Sequence, residues 1–184
     1  MAELLAVVFA VLALLVLSGF YVSWRAGRLD RLHTRVETAQ ASLDAALERR
    51  GAVVLELASA PELEPASAVL LADAAGKARR AGDRAARELA ESNLSRALRA
   101  VVEEPGFADA MAATRDPVGD DLLAEVEAAA KRVHLARRFY NDGVASVREA
   151  RSSRLVTLFR LAGHARMPEF FEMDDEPPAW SAPA

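Results

Sequence analysis

Residues 4–22 carry no charged side chain and are almost entirely Leu, Val, Ala and Phe. A helix rises ~1.5 Å per residue, so a run of ~19 residues spans ~28 Å, close to the hydrocarbon thickness of a bilayer. Tyr21 and Trp24 stand at its end, where amphipathic rings favour the membrane–water interface. The rival reading is a cleaved signal peptide, which needs a basic start, a shorter apolar stretch and small residues around a cleavage site. Here the chain opens Met1-Ala2-Glu3, and no bond from Tyr21 to Gly27 follows a small-x-small pair. We therefore expect residues 1–24 to be a transmembrane anchor whose partner, through residues 4–22, is the lipid bilayer.

Arg25, Arg28, Arg31 and Arg35 follow the run directly, and no Lys or Arg precedes it. Positive charge resists translocation. The expected topology is a single-pass protein of the cell membrane, with its N-terminus outside and the rest of the chain cytoplasmic. Ala2, Ala6 and Ala10 form a small-xxx-small stripe of the kind that supports helix pairing in lipid, although in an Ala-rich span the same spacing arises without pairing.

Roughly 130 residues remain once the anchor and a polar tail are set aside, enough for one ordinary domain. They are rich in Ala, Leu, Arg and Glu, all good helix formers, and β-branched residues never gather into alternating runs. Leu29, Leu32, Val36, Ala39, Leu43, Ala46, Val53 and Leu57 recur at alternating three- and four-residue steps. That is a heptad seam, with Arg50 its one polar intruder. The first helix should thus continue out of the membrane to about residue 58, before Pro61 and Pro65.

A second helix is expected over residues 66–103, from Pro65 to the stop at Pro105-Gly106. Its stripe is Val69, Leu70, Ala74, Ala78, Ala81, Ala85, Leu89, Leu98 and Val101. After a connection at 106–119, a third helix should begin at Asp120-Asp121. It presents Leu122, Val126, Ala129, Val133, Ala136, Tyr140 and Val147 on one face. A short fourth helix is expected at 155–161, and the acidic, proline-rich residues 174–184 are expected to be disordered. On that ground, replacing Asp174 should do little.

The resulting fold class is all-α: an N-terminal transmembrane helix continuing into an antiparallel bundle of three long helices plus a short C-terminal helix. The domain boundaries read 1–24 for the anchor, 25–165 for the bundle and 166–184 for a largely disordered tail.

Three stretches and a short C-terminal ending resemble the LemA family of membrane-anchored helical proteins. Residues 35–50, ending Leu47-Glu48-Arg49-Arg50, resemble its first helix, which ends in a Leu-x-x-Arg pattern. Residues 91–98, which include Asn93 and Leu94, are similar to the family's Glu-Asn-x-Leu-x-x-Ala-Leu. Ala136-Arg137-Arg138-Phe139-Tyr140-Asn141 resembles Ala-Arg-x-x-Tyr-Asn, and the ending Phe170-Phe171-Glu172 resembles Tyr-Phe-Glu. The C-terminal third diverges: no Phe-Pro follows the Tyr-Asn motif. The resemblance implies an N-terminal anchor and an antiparallel helical bundle, and it implies no reaction.

The chemistry of the residues points the same way. The net charge is -4, against a general nucleic-acid binder. There is no Cys, which excludes thiol catalysis and cysteine-ligated metals. A metal site in a bundle wants Glu-x-x-His pairs, but Lys131 stands three residues before His134, and His33 has only Asp30 beside Arg28 and Arg31. No phosphate loop, nucleophile elbow or HExxH is present. We expect no enzyme activity, no cofactor, no metal and no small-molecule substrate.

The candidate interaction or register residues are Arg50, Asn93, Arg137, Tyr140 and Asn141. For Tyr140 and Asn141 two readings stand: a buried polar pair that fixes helix register, and a contact surface for another protein. Arg50 reads as a snorkelling or ion-paired residue at the core edge. Arg137-Arg138 and the arginines at 151 and 154 suit a solvated face, or an anionic lipid or acidic partner. The functional expectation is a non-enzymatic, membrane-anchored interaction or scaffold module. The alternative is a structural protein that self-associates into homo-oligomers through its heptad seam.

Overall fold

The computed structural model describes residues 1–113, 117–152 and 166–179. Its elements, in order, are the helices α1 (Ala2–Ala58), α2 (Pro65–Arg80), α3 (Arg84–Val102), α4 (Phe107–Ala113) and α5 (Pro117–Ser152), and no strand occurs among the described residues. The short helix expected at 155–161 lies outside the described residues. The chain divides into two compact units, Met1–Thr38 with Asp142–Glu169 and Ala39–Asn141 with Phe170–Ala184.

In the first unit, α1 is apolar and long enough to cross a membrane. Its side chains along that run, from Leu4 through Phe9 and Leu15 to Phe20, are exposed. Such a surface is unsuited to water and suited to lipid tails. Tyr21 and Trp24 lie with ring centroids 6.3 Å apart, and the Arg25 guanidinium sits 6.0 Å from the Tyr21 ring. Farther along, Leu29 and Val36 are buried. A Cβ on Gly143 would come within 3.1 Å of Val36 Cγ2, so the absence of a side chain there lets α5 approach α1 closely.

The core of the second unit gathers Val53, Val54 and Leu57 of α1 with Leu71, Ala74, Ala75 and Ala78 of α2. Leu94, Leu98 and Val101 of α3 and Val126 of α5 complete it. The seam residues Leu43, Ala46, Val53 and Leu57 are all buried, as the three-four spacing predicts. On α5, Val126, Ala129, Val133 and Tyr140 are buried on the expected face.

The single helix expected over 66–103 is two helices. Glu64 caps α2 by accepting from Ser67 N at 2.9 Å, with Pro65 in the first position. That backbone hydrogen bond holds the Glu64 carboxyl below its ordinary value. Ala81 is extended, and Asp83 opens α3 by accepting from Ala86 N at 2.8 Å. The break resets the helical phase. Val69, Leu70 and Leu89, which a continuous stripe would bury, are exposed, while Leu71 and Leu94 are fully buried in their place.

The connection expected at 106–119 also carries structure. Gly106 adopts a φ of 95°, in the left-handed region that favours glycine. α4 follows it, and α5 starts at Pro117 rather than at Asp120.

Candidate functional site

Two polar clusters interrupt the apolar packing of the second unit. The first is sealed. Arg50 is 2% exposed, and its Nη2 donates to Glu91 Oε2 at 2.6 Å and to the Glu91 carbonyl at 3.3 Å. Its Nη1 donates to Ser95 Oγ at 2.8 Å, which in turn donates to the Glu91 carbonyl at 3.2 Å. Glu91 and Ser95 stand four apart on α3 and so share one helix face. Arg50 Nε finds no acceptor among the described residues. A buried pair of this kind fixes register more reliably than it adds stability, because desolvation offsets much of the attraction.

The second cluster surrounds the chain's own C-terminal segment. Residues 170–179 form a strap with neither helix nor strand, and side chains of α3 and α5 hold it. Composition alone suggested disorder for 174–184; of these, 180–184 lie outside the described residues, and Ser92, Arg99 and Arg137 hold residues 174–176. The Asn141 side chain treats Phe171 as a strand neighbour would. Asn141 Oδ1 accepts from Phe171 N at 2.9 Å, and Asn141 Nδ2 donates to Phe171 O at 3.2 Å. From α3, Glu88 Oε1 accepts from Glu172 N at 3.1 Å and Ser92 Oγ accepts from Asp174 N at 3.0 Å.

Charge adds to these main-chain bonds. Arg99 grips the Asp174 carboxylate through both Nη atoms, at 2.8 and 2.5 Å, and donates to the Glu176 carbonyl at 2.8 Å. Arg137 binds Asp175 in the same two-pronged way, at 2.7 and 2.9 Å. His134 Nδ1 lies 3.1 Å from Asp175 Oδ2, without the geometry of a hydrogen bond. The Arg99 bond holds the Asp174 carboxyl below its ordinary value, against the opposing effect of burial, and it raises the Arg99 guanidinium.

Phe171 itself is buried. The Arg84 guanidinium lies 5.6 Å from its ring centroid and 5.9 Å from that of Tyr140, and Arg84 Nη2 donates to the Tyr140 hydroxyl at 3.4 Å. Beside this trio is a cavity of about 230 Å³, lined also by Gln40, Leu43, Asp44 and Arg87. Arg87 donates to Asp44 Oδ1 at 2.7 Å across it.

The five candidate residues therefore separate. Arg137, Tyr140 and Asn141 meet at the strap, and Arg50 belongs to the sealed cluster. Asn93 stands on the exposed face of α3, where it accepts from Arg96 Nη2 at 2.7 Å. Sequence reasoning missed Arg84, Glu88, Ser92 and Arg99 on α3, because its stripe was counted through the break. It also missed Asp174 and Asp175, whose composition reads as solvated tail.

One signal was available: the stretches that carry the resemblance meet in pairs. Arg50, ending the first, bonds Glu91 and Ser95 of the second. Asn141, in the third, bonds Phe171 of the Phe-Phe-Glu ending. Among the described residues, no group of three or more His, Asp or Glu is placed to hold a metal ion. No family model and no curated protein matches the chain.

Proposed function

We propose that this chain is a membrane-anchored, non-enzymatic interaction module, a divergent relative of the LemA proteins. In this reading residues 4–22 span the bilayer, the arginines from Arg25 to Arg35 keep the following domain on the cytoplasmic side, and α1 to α5 pack as an antiparallel helical bundle. Its partners are the bilayer and a second protein.

The observation that carries the proposal is the way α3 and α5 hold a segment with neither helix nor strand. Asn141, Glu88, Ser92 and Arg99 all bind main-chain atoms, which is how protein modules recognise extended peptides. The resemblance of residues 35–50, 91–98 and 136–142 supports the LemA relationship. Burial of Leu43, Ala46, Val53 and Leu57 within one chain supports the interaction module over self-association through the seam, which needs those side chains exposed.

In-cell crosslinking of the full-length protein in native membranes, read by mass spectrometry, tests the reading. Reproducible crosslinks from α3 or α5 to one distinct protein are expected. Crosslinks confined to copies of this chain would replace the interaction module with a self-assembling one.

A further inference from the structure

The strap is bound as a ligand is bound. At four positions, Phe171, Glu172, Asp174 and Glu176, the helices contact its backbone. Any extended segment with a free N–H at the first three of these positions satisfies those contacts. Side chains are read at three described places: the Phe171 ring lies beside Arg84, Arg99 takes Asp174, and Arg137 takes Asp175. The pattern is an aromatic residue followed three and four positions later by carboxylates.

We propose that this groove is a docking site for an extended aromatic–acidic segment of a partner protein, and that the chain's own residues 170–179 occupy it as a competing strap. The proposal deepens the interaction-module reading above and rests on it. Charge complementarity commits the groove to an acidic occupant, since Arg99 and Arg137 meet carboxylates there while Glu88, paired with Arg84, is already neutralised.

The strap is held in a way that permits exchange. Its burial is modest, with Phe171 and Pro178 the only buried residues among those described in it. The Arg99–Asp174 pair is partly exposed, by 19% and 33%, so water and salt weaken it, while Arg137–Asp175 is more enclosed, at 22% and 10%. A tethered strap competes at an effective concentration of ~mM. A free partner segment must therefore bind tightly, or itself be held at the same membrane.

The test uses the full-length protein in detergent and a fluorescent synthetic peptide with the sequence of residues 166–179, read by anisotropy. In the parent protein the strap blocks the probe, and binding is weak. Releasing the strap with Phe171→Ala and Asp174→Asn should tighten probe binding at least about tenfold. Adding Asn141→Ala to that protein should remove the gain. Adding Arg99→Asp instead should abolish binding of the native probe and leave binding of a probe carrying Arg at the Asp174 position.

Circular dichroism melts keep the result readable: a strap-released protein that melts like the parent but gains no probe binding overturns the proposal. So does probe binding indifferent to Asn141→Ala and Arg99→Asp. A concentration-dependent dimer of the parent that disappears on strap release would assign the groove to the strap of a second copy, and the partner segment would be wrong. Failure of the underlying reading looks different. There the probe behaves as expected, yet crosslinking in membranes finds no distinct protein.

Discussion

Arg50–Glu91 and Arg99–Asp174 are the same chemical pair in two settings. Their shortest contacts are 2.6 and 2.5 Å, but the side chains are 3% and 4% exposed in the first and 19% and 33% in the second. In the first setting both charges have left water, so their worth lies in the cost of separating them. The cluster supplies Ser95 and a carbonyl as additional partners, and the arrangement has no cheap alternative. In the second setting water competes continually, and breaking the pair exposes no orphaned charge. One chemistry thus makes a rivet between α1 and α3 and a latch on the strap.

Substitutions separate the rivet from the latch, and the largest effect belongs to the sealed side. Leu43 is 2% exposed, and Leu43→Asp buries a carboxylate in the seam, beside Arg84 and Arg87 that are already engaged by Glu88 and Asp44. Loss of several kcal/mol or more is expected, seen as a collapsed or absent thermal transition. A melt like the parent's would show that the seam is not the core.

Next comes Glu91→Ala, which strands the Arg50 charge. It should cost ~3–5 kcal/mol in denaturant unfolding, whereas replacing Arg50 by Met and Glu91 by Leu together should recover most of that loss. If Glu91→Ala costs no more than Asp174→Ala, the contrast between the two pairs collapses.

Asn141→Ala removes both main-chain bonds to Phe171. Each is worth ~0.5–1.5 kcal/mol, and the effect should be local. Amides of residues 171–176 should exchange faster with deuterium while the global melt moves little. Asp174→Ala should do the same at the far end of the strap. The expectation of silence at Asp174 rested on a disordered tail, and its grip by Arg99 replaces that expectation.

The smallest effects come from solution conditions. Asp174 has its folded-state pKa depressed, so its stabilising contribution is present above the ordinary aspartate value of ~3.9 and is lost as pH falls through the lower folded value. Strap amides should therefore gain exchange on acidification below about pH 4, after correction for the intrinsic rate. Raising salt to about 1 M, where the Debye length is ~3 Å, should loosen the strap and leave the Arg50 cluster untouched. Equal salt sensitivity at both sites would contradict their difference in burial.

Almost all of α1 was legible from its own residues. An uncharged run, a three-four seam and two following prolines are local facts about one helix, and its ends and its buried face follow from them. The face of α5 was legible for the same reason. Two features were not. The α2–α3 break was missed because Gly82 is tolerated inside helices at a cost of only ~1 kcal/mol relative to Ala. Asp83 reads as a helix cap only once the chain around it has turned. Counting through that break shifted the stripe and hid Leu71 and Leu94.

The strap lay even further from the sequence. An acidic, proline-rich end is disordered unless cations wait for it, and Arg99 and Arg137 stand far from it along the chain. Tertiary structure alone brings those two arginines and Asn141 to one segment. The energy that orders it comes from contacts between distant residues, which composition and periodicity do not record.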